Sequence, residues 1–139
     1  MKSSEGLIRM PGSSLIFDTN AFIAWCFEDA GLARQAVLYS EPALTLISMG
    51  ELVFGALKSA KPAANREILN RRLSGFRILM PDRATADVYG EVCFALRRKG
   101  RPIPENDIWI AALALQHGLP LLTRDAHFHE VEGLNVLGW

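Results

Sequence analysis

Cysteine is scarce: Cys26 and Cys93 are the only two in 139 residues, too few for a disulfide scaffold. Neither stands in a Cys-x-x-Cys pair or beside a histidine-rich stretch, so nothing points to a zinc site. Both fall in apolar segments of helical periodicity and read as buried, reduced thiols. Net charge is also missing. Lys plus Arg is 15 and Asp plus Glu is 15, so no overall field draws the chain to nucleic acid or to a membrane surface. Any anionic partner has to be held locally. Long apolar runs are absent as well: the longest, Ile108 to Leu115, falls far short of the roughly 20 residues that cross a bilayer. The first residues, MKSSEGLIRMPGSS, carry Lys2, Glu5 and Arg9 and no apolar stretch of signal-peptide length. A cytoplasmic protein without membrane contact is expected.

No repeat, low-complexity tract or linker divides the chain, and half of its residues are hydrophobic. That is enough for one core burying about two-thirds of the surface of the unfolded chain. Because Pro11, Gly12 and Ser13 precede the first apolar run, residues 1–12 read as a flexible extension and residues 13–139 as a single domain. Short apolar runs alternate with longer segments of helical period, the pattern of an α/β fold with a central, mostly parallel sheet of four to five strands flanked by helices. Strands are expected at Leu15 to Asp18, Leu44 to Ile47, Phe76 to Met80, Leu121 to Thr123 and Asn135 to Leu137. Helices are expected at Ala21 to Phe27, Leu32 to Tyr39, Gly50 to Lys58, Pro62 to Ser74, Arg83 to Arg98 and Pro104 to His117. Gly118, with Pro120 close behind, stops the last of these. Asp82 caps the helix from Arg83, whose apolar face runs through Val88, Val92 and Leu96, leaving Asp87 and Glu91 toward solvent.

The informative feature is where four acids fall. Asp18 ends the first strand, Glu51 lies at the start of the helix after the second, Asp107 opens a helix, and Asp125 follows the fourth strand. In an open parallel sheet, strand C-termini and the following helix N-termini meet at one edge, where ligands bind at the point of strand-order reversal. Two unit charges about 6 Å apart repel by ~3 kcal/mol at an effective dielectric of about 20, so four carboxylates gathered there need protons or a cation. An all-oxygen set suits a hard ion, Mg²⁺ or Mn²⁺. Such an ion activates water for attack on phosphorus, which is the chemistry of phosphodiester hydrolysis.

Three of the acids also have a structural explanation. Ser48 to Glu51 spells a capping box, in which Glu51 bonds back to the Ser48 backbone. Asp107 suits the first turn of any helix, and Asp125 suits an Asx turn or N-cap before Ala126 to Glu130. Asp18 ends an apolar strand, a poor place for a charge unless it is solvated or ligated, with Asn20 as the cap of the next helix. Basic residues cluster at Arg97, Arg98, Lys99 and Arg101, just ahead of Asp107, and Arg124 adjoins Asp125. Arg124, Arg101 and Arg98 are the candidate phosphate contacts, although Lys and Arg are expected at a helix C-terminus in any case. His117, His127 and His129 read as surface or turn residues. Trp25, Phe27, Trp109 and Phe128 read as core or dimer-contact residues rather than base-stacking platforms.

Four segments in order, LIFDTN around Asp18, SMGELVFGALK around Glu51, RPIPENDIWIAALAL around Asp107 and LPLLTRDAHFHEV around Asp125, resemble the PIN-domain ribonucleases. The likeness is specifically to the toxins of VapBC-type (virulence-associated) toxin-antitoxin pairs. It implies a PIN domain, metal binding by Asp18, Glu51, Asp107 and Asp125, and supporting roles for Thr19, Asn20, Asn106 and Thr123 in orienting carboxylates or water. It further implies a homodimer, a higher assembly with a cognate antitoxin that occludes the cleft, and structured RNA as substrate. Two other enzyme and receiver patterns fit less well. A phosphatase with an aspartyl nucleophile expects a second Asp where Asn20 stands. A phosphorylatable receiver expects its acceptor after the third strand, where Asp82 is available, and a Lys after the fifth, where none is found. A non-catalytic metal-binding module of PIN-like or receiver-like form, acting within a regulatory complex, is the remaining alternative.

Overall fold

In a computed structural model that describes residues 10–139, five parallel strands form one sheet in the order β3-β2-β1-β4-β5. The strands are β1 (Met10–Phe17), β2 (Tyr39–Thr45), β3 (Arg77–Leu79), β4 (Leu121–Leu122) and β5 (Val136–Leu137). Six helices connect or follow them: α1 (Thr19–Cys26), α2 (Ala30–Ala36), α3 (Leu46–Leu57), α4 (Pro62–Leu73), α5 (Arg83–Arg98) and α6 (Glu105–His117). A 3₁₀ turn, Ala126–Glu130, follows β4. The α/β architecture with a parallel sheet is the one expected. The flexible extension expected over residues 1–12 lies, for residues 1–9, outside the described residues. Met10 to Gly12 belong to β1, with Met10 opposite Tyr39 and the register shifting before Ser14 meets Glu41.

Period-two burial sorts the strand side chains onto two faces. Ile16, Ala43, Leu79 and Leu121 pack under α5, α6 and the 3₁₀ turn, against Val92, Leu96, Ile110, Leu113 and Phe128. Leu15, Phe17, Leu44 and Leu122 pack on the other face with Phe22 of α1, Leu32 of α2 and Leu69 of α4. The strands therefore read as continuous apolar runs because both faces are covered. Gly118 caps α6 at φ 64°, a conformation that favours glycine, and lets the chain turn directly into β4. Among the described residues, no helix is long and apolar enough to cross a membrane.

Two local expectations are corrected. The helix expected from Gly50 begins at Leu46, because β2 ends at Thr45 and the Thr45 hydroxyl accepts from the Ser48 amide at 3.1 Å. Thr45, not Ser48, is the cap, so no capping box holds Glu51 to the backbone. Likewise Asn20 does not cap α1. The Asp18 carboxylate accepts from the Ala21 amide at 2.7 Å, which puts Thr19 and Asn20 inside the first turn.

Candidate active site

Strand order reverses around β1, which lies between β2 and β4, so the crevice belongs outside the carboxyl ends of β1 and β4. The Asp18 amide donates to the Leu122 carbonyl at 3.1 Å, which sets the residue after β1 beside the residue after β4. There a cavity of about 180 Å³ is lined by Asp18, Thr19, Asn20, Glu51, Asp107, Ile110 and Asp125. All four acids singled out in the sequence face this one cavity.

Three of the supporting polar residues lock the acids. Thr123, only 3% exposed, donates to Asp18 Oδ2 and accepts from the Asp125 amide at 2.9 Å, joining two acids through one hydroxyl. Thr19 donates to Glu51 Oε1, and Asn106 donates to Glu51 Oε2 at 3.2 Å. Asn20 lines the cavity without a comparable bond to an acid among those described. Replacing Thr123 by Val is expected to lower stability by ~1–3 kcal/mol, since it leaves the buried Asp18 oxygen and the Asp125 amide without that partner. Thermal unfolding of the variant checks it, and an unchanged transition would contradict this wiring.

Electrostatics register the crowding. The Asp107 carboxyl is pushed up to about 6, first by burial, then by Asp125 and Glu51, with His127 opposing. Burial likewise raises Asp18, against the hydrogen bonds from Thr123 and Ala21, with Asp125 and Glu51 adding to the rise. Two carboxyls thus resist ionisation at a common site. Such an arrangement suits a hard cation held by oxygen ligands.

One side chain here was not assigned to the site from sequence. His127 Nδ1 lies 3.0 Å from Asp125 Oδ1 and 3.7 Å from Asp107 Oδ2. Asp125 caps the 3₁₀ turn by accepting from the His127 amide at 2.9 Å, so the Asx turn read there folds residue 127 back toward the acid. That was the available signal. His117 and His129 are exposed and take no part in this cluster.

The basic residues divide. Arg124 points its guanidinium over the Trp139 ring, 4.5 Å from the centroid, and Nε donates to the Trp139 carbonyl at 2.9 Å. Arg98 lies 5.7 Å from the Phe94 ring centroid. Lys99 donates to the Glu130 carbonyl, tying the end of α5 to the turn that Asp125 opens. Arg101 is exposed in the following loop. Asp82, the acceptor a receiver would need, caps α5 and takes bonds from Thr85 and from Gln116, near the opposite end of α6 from Asp107. It lies outside the acidic cavity.

Comparison with known proteins adds to this geometry. The profile of the PIN domain matches residues 15–134. Ribonuclease VapC5 of Mycobacterium tuberculosis is 29% identical over 120 residues, covering 85% of this chain and 87% of that protein. The tRNA(fMet)-specific endonuclease VapC of Shigella flexneri is 32% identical over 97 residues, covering 69% and 74%. The crystal structure of DNA-bound VapBC from Salmonella typhimurium superposes with a TM-score of 0.84 at 27% identity, covering 91% of this chain and 98% of that one.

Proposed function

The chain belongs to the PIN domain family, and from that membership we propose that it is a divalent-metal-dependent ribonuclease, the toxin of a VapBC-type toxin-antitoxin pair. The observation that carries the reading is the single cavity lined by Asp18, Glu51, Asp107 and Asp125. The VapC nucleases among its relatives support hydrolysis of RNA and disfavour a non-catalytic regulatory module.

Asp18, Glu51, Asp107 and Asp125 would hold Mg²⁺ or Mn²⁺, and the donor set fits, being carboxylate oxygens of which two belong to carboxyls that burial and neighbouring acids push upward. When bound, such an ion makes water nucleophilic toward phosphorus and offsets charge on the departing oxygen. The chain's own part is positional. Thr123 fixes Asp18 relative to Asp125, and Thr19 and Asn106 fix both oxygens of Glu51, so the acids need little reorganisation when RNA arrives. Arg101, with Arg98 and Arg124, would meet flanking phosphates from the protein's exposed rim, making binding weaken as salt rises.

An apolar groove runs from Thr19 and Glu51 past Ile23, Phe27, Ala56 and Ile68. Phe27 is 81% exposed and Ile68 is 43% exposed, although both border this groove. We assign it to an apolar segment of the cognate antitoxin, whose end would then reach the acids and occlude them, within a larger assembly built on a homodimer. Phe27→Glu is expected to weaken antitoxin binding at least about tenfold and leave cleavage unchanged, because no core packing is lost. Calorimetry with the cognate antitoxin reads this, and undiminished affinity would remove the groove from the interface. The ribonuclease reading itself is tested by sequencing RNA ends after brief expression of the wild type beside Asp107→Asn. New ends in the wild type alone support it; identical end profiles refute it.

A further inference from the structure

His127 stands apart from the family's acids in type and in placement. Its imidazole is attached to the 3₁₀ turn Ala126–Glu130, whose start is fixed by the bond from the His127 amide to Asp125 and whose middle is anchored by the buried Phe128. The ring is exposed on its outer side, with 52% of the side chain accessible, while Nδ1 faces the gap between Asp125 and Asp107. One atom each of Asp107, Asp125 and His127 lie within 4.8 Å of one another, a span that ligands of a single ion occupy.

We propose that His127 is a metal ligand that adds an imidazole nitrogen to the carboxylate site and so biases it toward a first-row transition ion, Mn²⁺ among them, over Mg²⁺. This deepens the ribonuclease reading and rests on it. Mg²⁺ demands oxygen ligands and releases water reluctantly, whereas first-row transition ions accept imidazole readily. A nitrogen in the set therefore strengthens binding of one class and does little for the other. Asp107 and Asp125 serve both. The alternative role for His127 is as a hydrogen-bonding prop for Asp125, which would affect both ions alike.

The test measures binding rather than turnover, by calorimetry of the full chain with MnCl₂ and with MgCl₂. His127→Ala is expected to lower Mn²⁺ affinity about tenfold or more and to change Mg²⁺ affinity by less than about twofold. His127→Gln keeps a hydrogen-bonding group and is expected not to restore the lost Mn²⁺ affinity. Electron spin-echo spectroscopy of the Mn²⁺-loaded wild type is expected to show coupling to an imidazole nitrogen that His127→Ala removes. Equal losses for both ions, rescue by Gln, or no nitrogen coupling overturns the assignment of His127 while leaving the carboxylate site standing. If wild type binds neither ion while Asp107→Asn behaves identically, the metal-dependent reading fails together with it.

Discussion

Asp107→Asn is expected to reduce RNA cleavage by about a thousandfold or more, equivalent to ~4 kcal/mol in the barrier, with the fold retained. Asp107 occupies the first turn of α6, with 17% of its side chain accessible, and it faces Asp125 and His127 across the cavity. Asn has the same shape and can still hydrogen-bond, but it brings no negative charge to a cation and makes a far poorer ligand. The helix survives because Asp107 is not its cap, Pro104 occupying that place. Asp18→Asn is expected to give a similar loss. There the amide oxygen can still accept from Ala21 and cap α1, and the Thr123 hydroxyl can turn to accept from the new amide. Asp87→Asn serves as the control, since Asp87 lies exposed on α5 away from the cavity and should leave the rate unchanged. Single-turnover cleavage of labelled RNA, beside circular dichroism of each variant, decides the matter. Cleavage by Asp107→Asn at the wild-type rate, or activity persisting in excess chelator, would show that the carboxylates are not the machinery.

The acids were legible because each stands where a parallel sheet delivers its chain to the same edge. Asp18 and Asp125 follow apolar strands directly, and Asp107 opens a helix that returns to β4, so topology alone gathers them. Glu51 does line the cavity, yet its local setting was misread. Periodicity does not register that β2 ends one residue before a helix begins, with no loop between them, and the Ser48 to Glu51 pattern imitates a capping box. Asp18 had the opposite fault, being read as a charge with no structural duty when its carboxylate caps α1. Arg124 shows how residues adjacent in sequence part after a strand. Neighbours in extended chain point to opposite sides, so Thr123 is buried against Asp18 while Arg124 is exposed and turns to Trp139. His127 escaped because its relation to Asp107 depends on a 3₁₀ turn closing across from another element, and no pattern within either segment encodes that approach.

In the absence of metal, the protein is expected to become more stable as pH falls from about 7.5 to about 5, and divalent ions are expected to abolish that trend. Asp107 is raised to about 6 in the folded chain, by burial and then by Asp125 and Glu51 against His127, whereas the unfolded chain returns it to the ordinary range near 4. Between those values the folded state binds the proton that the unfolded state has lost. The derivative of unfolding free energy with pH is then negative, so the stabilisation is complete below the unfolded value and is lost as pH rises through about 6. Asp18, also raised by burial first, acts in the same direction. The Asp107 shift alone corresponds to ~1–2 kcal/mol once screening at this partly solvated site is allowed for. That is a rise of roughly 3–8 °C in melting temperature for a domain of this size. Asp107→Asn removes the ionisation, so its metal-free form should melt above wild type at about pH 7.5 and show a shallower pH dependence. Adding Mn²⁺ or Mg²⁺ should reverse the ranking. A hundredfold excess over the dissociation constant stabilises wild type by ~2.7 kcal/mol, and the variant, lacking one ligand, should gain much less. Calorimetric melts of both chains, in chelator and in each ion, separate Asp107 from every other titrating group through their difference. Parallel pH curves for the two proteins in chelator would mean that the acids do not strain the fold, and with that the physical reason for a cation among them would be gone.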